Sequence, residues 1–225
     1  MATVFVTGAN RGLGLAFARH YHAAGWEVIA TCRRPDRASA LRELRGVRIE
    51  ELDLCAPLTI ETLVNRAHYE RRCVIDVLIA NAAVLPRGIR DPRLQLERAL
   101  ETNTFGTLRL AEGLRPCVAM GTRPVMAFLT EPVRRLDPSW DAATLAYMLS
   151  KAALNARLAE MATANATVGI TTVGLYPGQV RTELGGPDAP LTAERSVAGM
   201  TRVLEALPHD GESARFDHTG RALVF

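Results

Sequence analysis

The sequence predicts an α/β fold in which a parallel sheet of about seven strands is covered by helices on both faces. Short apolar segments rich in β-branched residues alternate along the chain with longer segments whose apolar residues repeat at helical spacing. The 225 residues, of which 48% are hydrophobic, are enough for one well-cored domain and few for two. We therefore expect a single domain that spans residues 1–225, with right-handed crossovers between parallel strands.

The first strand and the first helix are joined by a glycine-rich turn. Residues 4–6 form a short apolar run that Thr7 ends, and Gly8, Gly12 and Gly14 follow where the main chain must turn sharply. A helix that begins there presents free N–H groups and the positive end of its dipole to the turn. The turn therefore predicts a site for the pyrophosphate of a dinucleotide.

The remaining elements alternate in the same manner after Gly25, which ends the first helix. The predicted strands are residues 26–32, 47–52, 74–80, 124–129 and 169–175, with a small terminal strand. The predicted helices are residues 38–44, a segment with an apolar stripe of Ile60, Leu63, Val64 and Ala67, and residues 93–120, 145–163 and 192–207. In a sheet of this kind the binding site lies along the carboxyl ends of the strands.

Composition argues against several classes of protein. The net charge of +3 is too small to indicate a nucleic-acid partner. No apolar run approaches the ~20 residues of a membrane span, and the first strand leaves no room for a signal peptide. The four cysteines lack CxxC spacing, which favours reduced thiols over disulfides or a metal site. We expect a cytoplasmic protein without membrane, nucleic-acid or metal binding.

The end of the second strand indicates which dinucleotide is bound. An acidic residue there would hydrogen-bond the ribose hydroxyls of NAD, but the strand runs instead into Arg33 and Arg34. Arg11, in the glycine turn, adds a third guanidinium group, and arginine binds phosphate oxygens bidentately. The sequence therefore predicts NADP(H) in preference to NAD(H). The alternative is a solvated basic face, which we expect for Arg37 and Arg42.

Tyr147 and Lys151 lie four residues apart in a helical segment, so their side chains share one face. Of the 27 lysine and arginine residues, all except Lys151 are arginine. A tyrosine that donates a proton to a forming alkoxide has an ordinary pKa of about 10, which a neighbouring ammonium group lowers. An amine also loses its proton more readily than a guanidinium group. We therefore predict an acid–base pair here.

The motif TGANRGLG, with its TGxxxGxG spacing, resembles the short-chain dehydrogenase/reductase family, and most closely its small carbonyl reductases and C-factor-like members. Tyr147 and Lys151 match the family's YxxxK pair. Further similarities are Asn81-Ala82-Ala83 to the NNAG motif, Asn103 in ETNTFGT, and residues 177–182 to PGxxxT. The resemblance implies a Rossmann-type doubly wound sheet and NAD(P)-dependent chemistry on CH–OH or C=O groups.

The resemblance also implies roles for individual residues. Asn103 would hold a water for proton relay, Asp53 would receive the adenine amino group, and Lys151 would hold the ribose. The residues expected to bind the cofactor are Gly8, Asn10, Arg11, Gly12, Leu13, Gly14, Arg33, Arg34, Asp53, Leu54, Asn81, Ala82, Ala83, Lys151, Pro177, Gly178, Val180 and Thr182. Helices 93–120 and 145–163 match those through which family members pair, which implies a homodimer or homotetramer.

One segment departs from the family. Its members carry two serines after the fifth strand, and the second donates a hydrogen bond to the substrate carbonyl; the segment AFLTEP puts Thr130 and Glu131 there. Removing one such donor lowers the rate about 10²–10³-fold. Three possibilities follow: Thr130 donates to the substrate, a desolvated Glu131 stays protonated and donates, or the site performs other chemistry.

The sequence therefore predicts an NADP(H)-dependent oxidoreductase that transfers hydride between the nicotinamide and a small carbonyl or alcohol substrate. Tyr147, Lys151 and Asn103 are the predicted catalytic residues, and Thr130 and Glu131 the predicted substrate contacts. The alternative, raised by Glu131, is a nucleotide-binding protein of the same fold with lost or altered redox activity. Such a protein would be a sensor, a partner subunit, or a non-redox isomerase or dehydratase.

Overall fold

The computed structural model describes residues 1–69, 73–133, 135–208 and 214–223, so residues 70–72, 134, 209–213 and 224–225 of the predicted domain lie outside it. The strands are β1 Thr3–Val6, β2 Glu27–Cys32, β3 Arg48–Glu51, β4 Val77–Ala80, β5 Val125–Leu129, β6 Thr171–Tyr176 and β7 Ala214–Asp217. The α-helices are α1 Gly12–Ala23, α2 Ser39–Arg42, α3 Pro57–Tyr69, α4 Pro92–Leu100, α5 Thr107–Ala119, α6 Ala142–Ala166 and α7 Ala193–Ala206.

All seven strands pair in parallel in the order β3-β2-β1-β4-β5-β6-β7. The pleat of each strand sends alternate side chains to opposite faces. Val4 and Val6 therefore enter the core beneath α1 and α7, whereas Phe5 enters the core beneath α3, α5 and α6. The predicted fold class, a doubly wound parallel sheet covered on both faces, is confirmed.

The strand order reverses between β1 and β4. The chain moves from β1 towards β3 on one side of the sheet and from β4 towards β7 on the other. A reversal of this kind opens a crevice at the carboxyl ends of the two central strands, where ligands bind in open α/β sheets. The glycine turn leaves β1 at this point, and residues 81–83 leave β4 beside it.

The predicted helix over residues 93–120 differs in the structure. A π-helical turn, Glu101–Gly106, separates α4 from α5. A Cβ on Gly106 would lie only 2.0 Å from the Leu54 carbonyl oxygen, and the Thr104 hydroxyl donates to the Ser150 carbonyl at 2.8 Å. Close packing against two other segments sets this turn, and no pattern within the helix itself indicates it. Such turns are frequent at functional sites.

Other differences are confined to the ends of elements. Helix α6 begins three residues before the prediction because the Asp141 carboxylate accepts a hydrogen bond from the Thr144 N–H at 2.7 Å. The predicted helix 38–44 shortens to α2, and a 3₁₀ turn, Pro35–Arg37, precedes it.

Among the described residues the four cysteines are not joined by disulfides, and Cys32 and Cys117 are buried. Within the described ranges, no helix is long and apolar enough to cross a membrane. The same part of the chain contains no group of three or more side chains able to hold a metal ion.

Candidate active site

The glycine turn leaves the amino end of α1 open to an anion. Gly8 and Gly12 have φ angles of 65° and 55°, in the left-handed region that favours glycine. Arg11 occupies the N-cap position without a side-chain hydrogen bond to the helix, and no acidic residue lies in the first turn. The first N–H groups of α1 therefore have no side-chain cap and favour a negatively charged ligand such as a pyrophosphate.

The turn is held against the end of β4 by Asn81. Its side-chain amide donates to the Thr7 carbonyl at 2.8 Å, and its backbone N–H donates to the Thr7 hydroxyl at 3.0 Å. A Cβ on Gly8 would lie 3.0 Å from the Ala82 Cα, and one on Gly14 would lie 2.3 Å from the Gly8 carbonyl oxygen. The predicted phosphate turn and the predicted nicotinamide-side segment therefore pack directly on one another.

Residues 177–182 close the other side of the crevice. The Ser196 hydroxyl donates to the Pro177 carbonyl at 2.7 Å, which fixes the segment on α7. The methyl group of Thr182 faces the glycine turn, because a Cβ on Gly12 would lie 3.3 Å from it. Thr182 therefore lies next to the open end of α1, while its hydroxyl donates to the Val180 carbonyl at 3.4 Å and accepts from the Gly185 N–H at 3.1 Å.

The residues predicted for the adenosine end are arranged around the ends of β2 and β3. The Asp53 carboxylate accepts from the Cys55 N–H at 3.0 Å and closes a local turn. Arg33 and Arg34 are exposed, and neither forms an ion pair within the part of the chain that the structure describes. Arg11 instead pairs with Glu183, which leaves Arg33 and Arg34 as the free guanidinium groups at this end.

Three further predicted cofactor residues complete the glycine turn and the end of β4. Asn10 is exposed, Leu13 packs partly buried against the core beneath α1, and Ala83 is partly buried. The structure therefore brings the predicted cofactor residues to one edge of the sheet, along the carboxyl ends of β1 to β6.

Tyr147 and Lys151 lie on the buried face of α6, above the end of β5. The side chains are 9% and 3% exposed, and the Lys151 Nζ is 5.7 Å from the centre of the tyrosine ring. The ammonium group donates to the Leu129 carbonyl at 2.7 Å. Burial lowers the pKa of Lys151 to about 8, although the nearby Glu131 carboxylate acts in the opposite direction.

Glu131 is the hydrogen-bond acceptor of the Tyr147 hydroxyl, which lies 3.3 Å from its Oε1. Burial raises the pKa of Glu131, while the Lys151 ammonium and the bond from Tyr147 lower it. Burial and the Glu131 carboxylate together raise the pKa of Tyr147 well above its ordinary value. Burial and Glu131 therefore outweigh the expected lowering of the Tyr147 pKa by Lys151, whose role in the acid–base pair stays a prediction.

Thr130 does not point towards Tyr147. Its side chain is 2% exposed, and its hydroxyl donates to the Oδ1 of Asn155, while its backbone N–H donates to the Leu175 carbonyl at 2.9 Å. The Thr130 hydroxyl would have to leave Asn155 to donate to a substrate, so its role as a replacement for the missing serine stays a prediction.

Asn155 belongs to the site, although it was not among the residues predicted from the sequence. Besides accepting from Thr130, its side-chain amide donates to the Glu131 carbonyl at 2.9 Å. It lies four residues after Lys151, on the same face of α6. The four-residue spacing from Lys151 could have identified Asn155 as a residue on the same face of α6 as Tyr147 and Lys151.

Asn103, which is predicted to hold a water, contacts the loop after β4 and the helix α6. Its amide oxygen accepts from the Val84 N–H at 2.8 Å, and its amide nitrogen donates to the Val84 carbonyl at 3.0 Å and to the Ser150 hydroxyl at 2.9 Å. Ser150 in turn donates to the Tyr147 carbonyl at 2.6 Å. The side chain therefore braces the loop after β4 against the backbone of α6 at Tyr147.

Replacing Thr130 by valine is expected to lower the free energy of unfolding by about 1–3 kcal/mol, because it leaves a buried Asn155 oxygen without a donor. Urea denaturation measures this change. Thr163→Val, on the exposed side of α6, is the matched control and changes stability by about 0.5 kcal/mol or less. A 10²–10³-fold loss of turnover in a stably folded Thr130→Val protein would instead show that this hydroxyl serves the substrate.

Comparison with known proteins agrees with this geometry. Residues 2–190 match the family model described as short chain dehydrogenase. C-signal of Myxococcus xanthus is 37% identical over 149 residues, which are 65% of this chain and 90% of that protein.

Two solved structures superpose along the whole chain. One, assigned as a short-chain dehydrogenase/reductase from Burkholderia multivorans with bound NADP, has a TM-score of 0.85 and 31% identity, covering 100% of this chain and 99% of the other. The other, a carbonyl reductase from Pseudomonas aeruginosa PAO1 in complex with NADP, has a TM-score of 0.82 and 28% identity, with 100% of both chains covered. With a family match over most of its length and the fold of these enzymes, the chain belongs to the short-chain dehydrogenase/reductase family of NAD(P)-dependent oxidoreductases.

Proposed function

We propose that the protein is an NADP(H)-dependent reductase of small carbonyl compounds, with Tyr147 as the group that exchanges a proton with the substrate oxygen. The observation that carries the proposal is the position of the Tyr147 hydroxyl. It lies buried beside Lys151 at the same edge of the sheet as the uncapped amino end of α1. A proton donor and a dinucleotide site at one edge are what carbonyl reduction requires.

The residues at this edge fit a dinucleotide. The α1 N–H groups and the Thr182 hydroxyl would hold the pyrophosphate, Asp53 the adenine, and residues 81–83 and 177–180 the nicotinamide half. Two family members of known structure carry NADP. When bound, the nicotinamide supplies or accepts the hydride.

The protein's own groups supply the proton chemistry and the positioning. Tyr147 donates its proton to the oxygen of the reduced carbonyl, and the Lys151 ammonium stabilises the negative charge left on the phenolate. Asn103 and Ser150 fix the backbone of α6 at Tyr147. Partial burial of the pocket strengthens these charge interactions because water screens them less.

Selection of NADP(H) over NAD(H) is assigned to Arg33 and Arg34, which are exposed beyond β2. Arg11 can join them once a phosphate displaces Glu183, since an exposed ion pair contributes only about 0–1 kcal/mol. Acidic side chains also lie at the end of β2. Asp36 and Glu51 are close enough to Cys32 to raise the pKa of its thiol. These carboxylates repel a phosphate group and so reduce the preference for NADP(H) over NAD(H) that the arginines provide.

The test is steady-state oxidation of NADPH and NADH with a panel of aldehydes and ketones. The variant Arg33→Ala/Arg34→Ala is expected to raise the KM for NADPH at least about 10–100-fold, because even one charge-assisted bond to phosphate contributes about 1.5–3 kcal/mol. The KM for NADH should stay unchanged, and Arg37→Ala is the control for loss of a nearby exposed charge. Wild-type protein that oxidises neither cofactor with any carbonyl would contradict the proposed reductase.

One observation favours a second candidate, a nucleotide-binding protein of this fold without redox turnover. Glu131 opposes formation of the Tyr147 phenolate, since it raises the pKa of that group. An ionised carboxylate at this point also repels a forming alkoxide. This candidate predicts NADPH binding with no reduction, and reduction that begins in the variant Glu131→Ser, which restores the family's donor.

A further inference from the structure

We infer that Glu131 is a proton-relay residue: its carboxyl group exchanges protons with the Tyr147 hydroxyl through their direct hydrogen bond and so returns Tyr147 to its starting state after each turnover. The inference rests on the proposed reductase function. In the family, a serine at this position donates a hydrogen bond to the substrate. In this protein Glu131 instead acts on Tyr147, by giving it a proton.

The first support is the hydrogen bond made by the Tyr147 side chain. Within the described residues, the Tyr147 hydroxyl donates to the Glu131 Oε1, at 3.3 Å. That distance is slightly longer than the ~2.6–3.2 Å of an effective proton transfer, as is common before substrate binds. The carboxyl group is therefore placed as the proton-exchange partner of the reacting oxygen.

The second support is the placement of Lys151. Its Nζ donates to the Leu129 carbonyl at 2.7 Å and lies 5.7 Å from the centre of the Tyr147 ring. It acts on Tyr147 and Glu131 through its charge. A positive charge beside both groups lets the negative charge move from one to the other at little electrostatic cost.

The third support is the fixed position of the Glu131 backbone. The Asn155 amide donates to the Glu131 carbonyl at 2.9 Å, and Asn155 is itself held by Thr130 and by Arg215, whose guanidinium donates to the Asn155 carbonyl at 3.0 Å. The carboxyl group is thus presented to Tyr147 from a braced loop. A relay needs this fixed distance between its two members.

The surroundings of Glu131 act on the pKa of its carboxyl group in opposite directions, and the net shift is upward. Burial raises its pKa, and the Lys151 charge and the Tyr147 hydrogen bond lower it. The other titratable group facing it is Tyr176, after β6, whose pKa is raised by burial, by Glu131 and by Asp217. Of the charged groups nearby, Arg215 is engaged with Asn155, so Lys151 is the cation that faces the carboxyl group.

Three proton transfers return Tyr147 to its starting state. The Tyr147 O–H bond breaks and its proton goes to the oxygen of the reduced carbonyl, which leaves a phenolate. The O–H bond of the neutral Glu131 carboxyl group then breaks, and its proton goes to the phenolate oxygen. The Glu131 carboxylate finally takes up one proton from the solvent, so the three transfers consume one solvent proton and exchange no electrons.

The first measurement does not depend on activity. In protein labelled with ¹³C at the glutamate carboxyl groups, the Glu131 signal is assigned by its absence in Glu131→Gln. Loss of the tyrosine hydrogen bond in Tyr147→Phe is expected to raise the Glu131 pKa further, because that bond stabilises the carboxylate. If Glu131 titrates in its ordinary range and Tyr147→Phe leaves it unchanged, the relay is overturned whatever the enzyme does.

The second measurement is the pH profile of NADPH oxidation with the carbonyl that turns over best. Wild-type kcat for reduction should fall as pH rises through the Glu131 pKa found by NMR, because the relay needs the protonated carboxyl group. Glu131→Gln should lower kcat about 10²-fold, lose that fall and leave KM little changed. Glu131→Asp, which keeps the carboxyl group, should restore the fall, whereas a merely structural role would not.

The matched control is Glu160→Gln, which removes an exposed carboxylate from α6 and should behave as wild type. Unchanged kcat and pH profile in Glu131→Gln would overturn the relay while leaving the proposed reductase intact. Absence of any reduction by the wild-type protein would overturn the proposed reductase, and the NMR titration would then decide the Tyr147–Glu131 proton exchange by itself.

Discussion

Replacing Tyr147 by phenylalanine is expected to lower kcat for carbonyl reduction about 10³-fold, within the range that a positioned proton donor contributes. The variant removes the hydroxyl that donates to Glu131 beside Lys151, and it keeps the ring that fills the space above β5. NADPH binding should persist, because the glycine turn and residues 177–182 are untouched. Steady-state kinetics and fluorescence titration with NADPH measure the two quantities separately.

The control for Tyr147→Phe is Tyr176→Phe, which removes the neighbouring hydroxyl that also senses the Glu131 charge. Its effect on kcat should be much smaller, because the Lys151 ammonium lies over the ring of Tyr147. Equal losses in the two variants would show that the proton path is shared between the tyrosines. Full activity in Tyr147→Phe would contradict the assignment of Tyr147 as the proton donor.

Replacing Gly14 by alanine is expected to lower the free energy of unfolding by about 2–3 kcal/mol and to abolish measurable NADPH binding. The added Cβ would lie 2.3 Å from the Gly8 carbonyl oxygen and 2.7 Å from the Asn81 amide nitrogen. Both neighbours belong to the turn that presents the α1 N–H groups, so relief of the clash must distort that turn. Thermal unfolding and equilibrium binding of NADPH test the two effects.

Gly88→Ala is the matched control for Gly14→Ala. A Cβ added to Gly88 would have no heavy atom within 4 Å, and the residue has no left-handed backbone conformation, so the same methyl group meets no obstacle there. Its stability and NADPH affinity should equal those of the wild type. Wild-type stability in Gly14→Ala would mean that the turn adjusts without cost, and it would contradict the close packing of Gly14 on Gly8.

The features that sequence predicted correctly are those with a local signature. Alternating apolar segments predicted the parallel sheet and its two covering layers, because strand and helix periods are visible within ten or so residues. The glycine spacing predicted the turn between β1 and α1, and it did so because only glycine adopts the conformation of Gly8 without strain. The spacing of Tyr147 and Lys151 likewise predicted that they share a face of α6.

The contacts of the predicted site residues that sequence did not indicate join distant segments. Asn103 is engaged by Val84, and its partner Ser150 lies 47 residues further along the chain, while its predicted role in holding a water stays a prediction. Thr130 was expected as a candidate donor, but Asn155, 25 residues away, accepts its hydroxyl proton. No local sequence pattern indicates which polar group a buried side chain will hydrogen-bond. A buried donor is paired with whichever acceptor the packing of separate elements places beside it.

The sequence by itself determined the fold class, the glycine turn for a dinucleotide and the tyrosine–lysine pair, together with the unusual residue Glu131. Only the tertiary structure decided what Glu131 contacts, since it brings the carboxyl group to the Tyr147 hydroxyl across 16 residues of chain. Packing also set the π-helical turn at Gly106 and turned Thr130 away from Tyr147. The physical reason is that spacing within a helix or strand is fixed by backbone geometry, whereas a buried polar group is paired by the packing of separate elements.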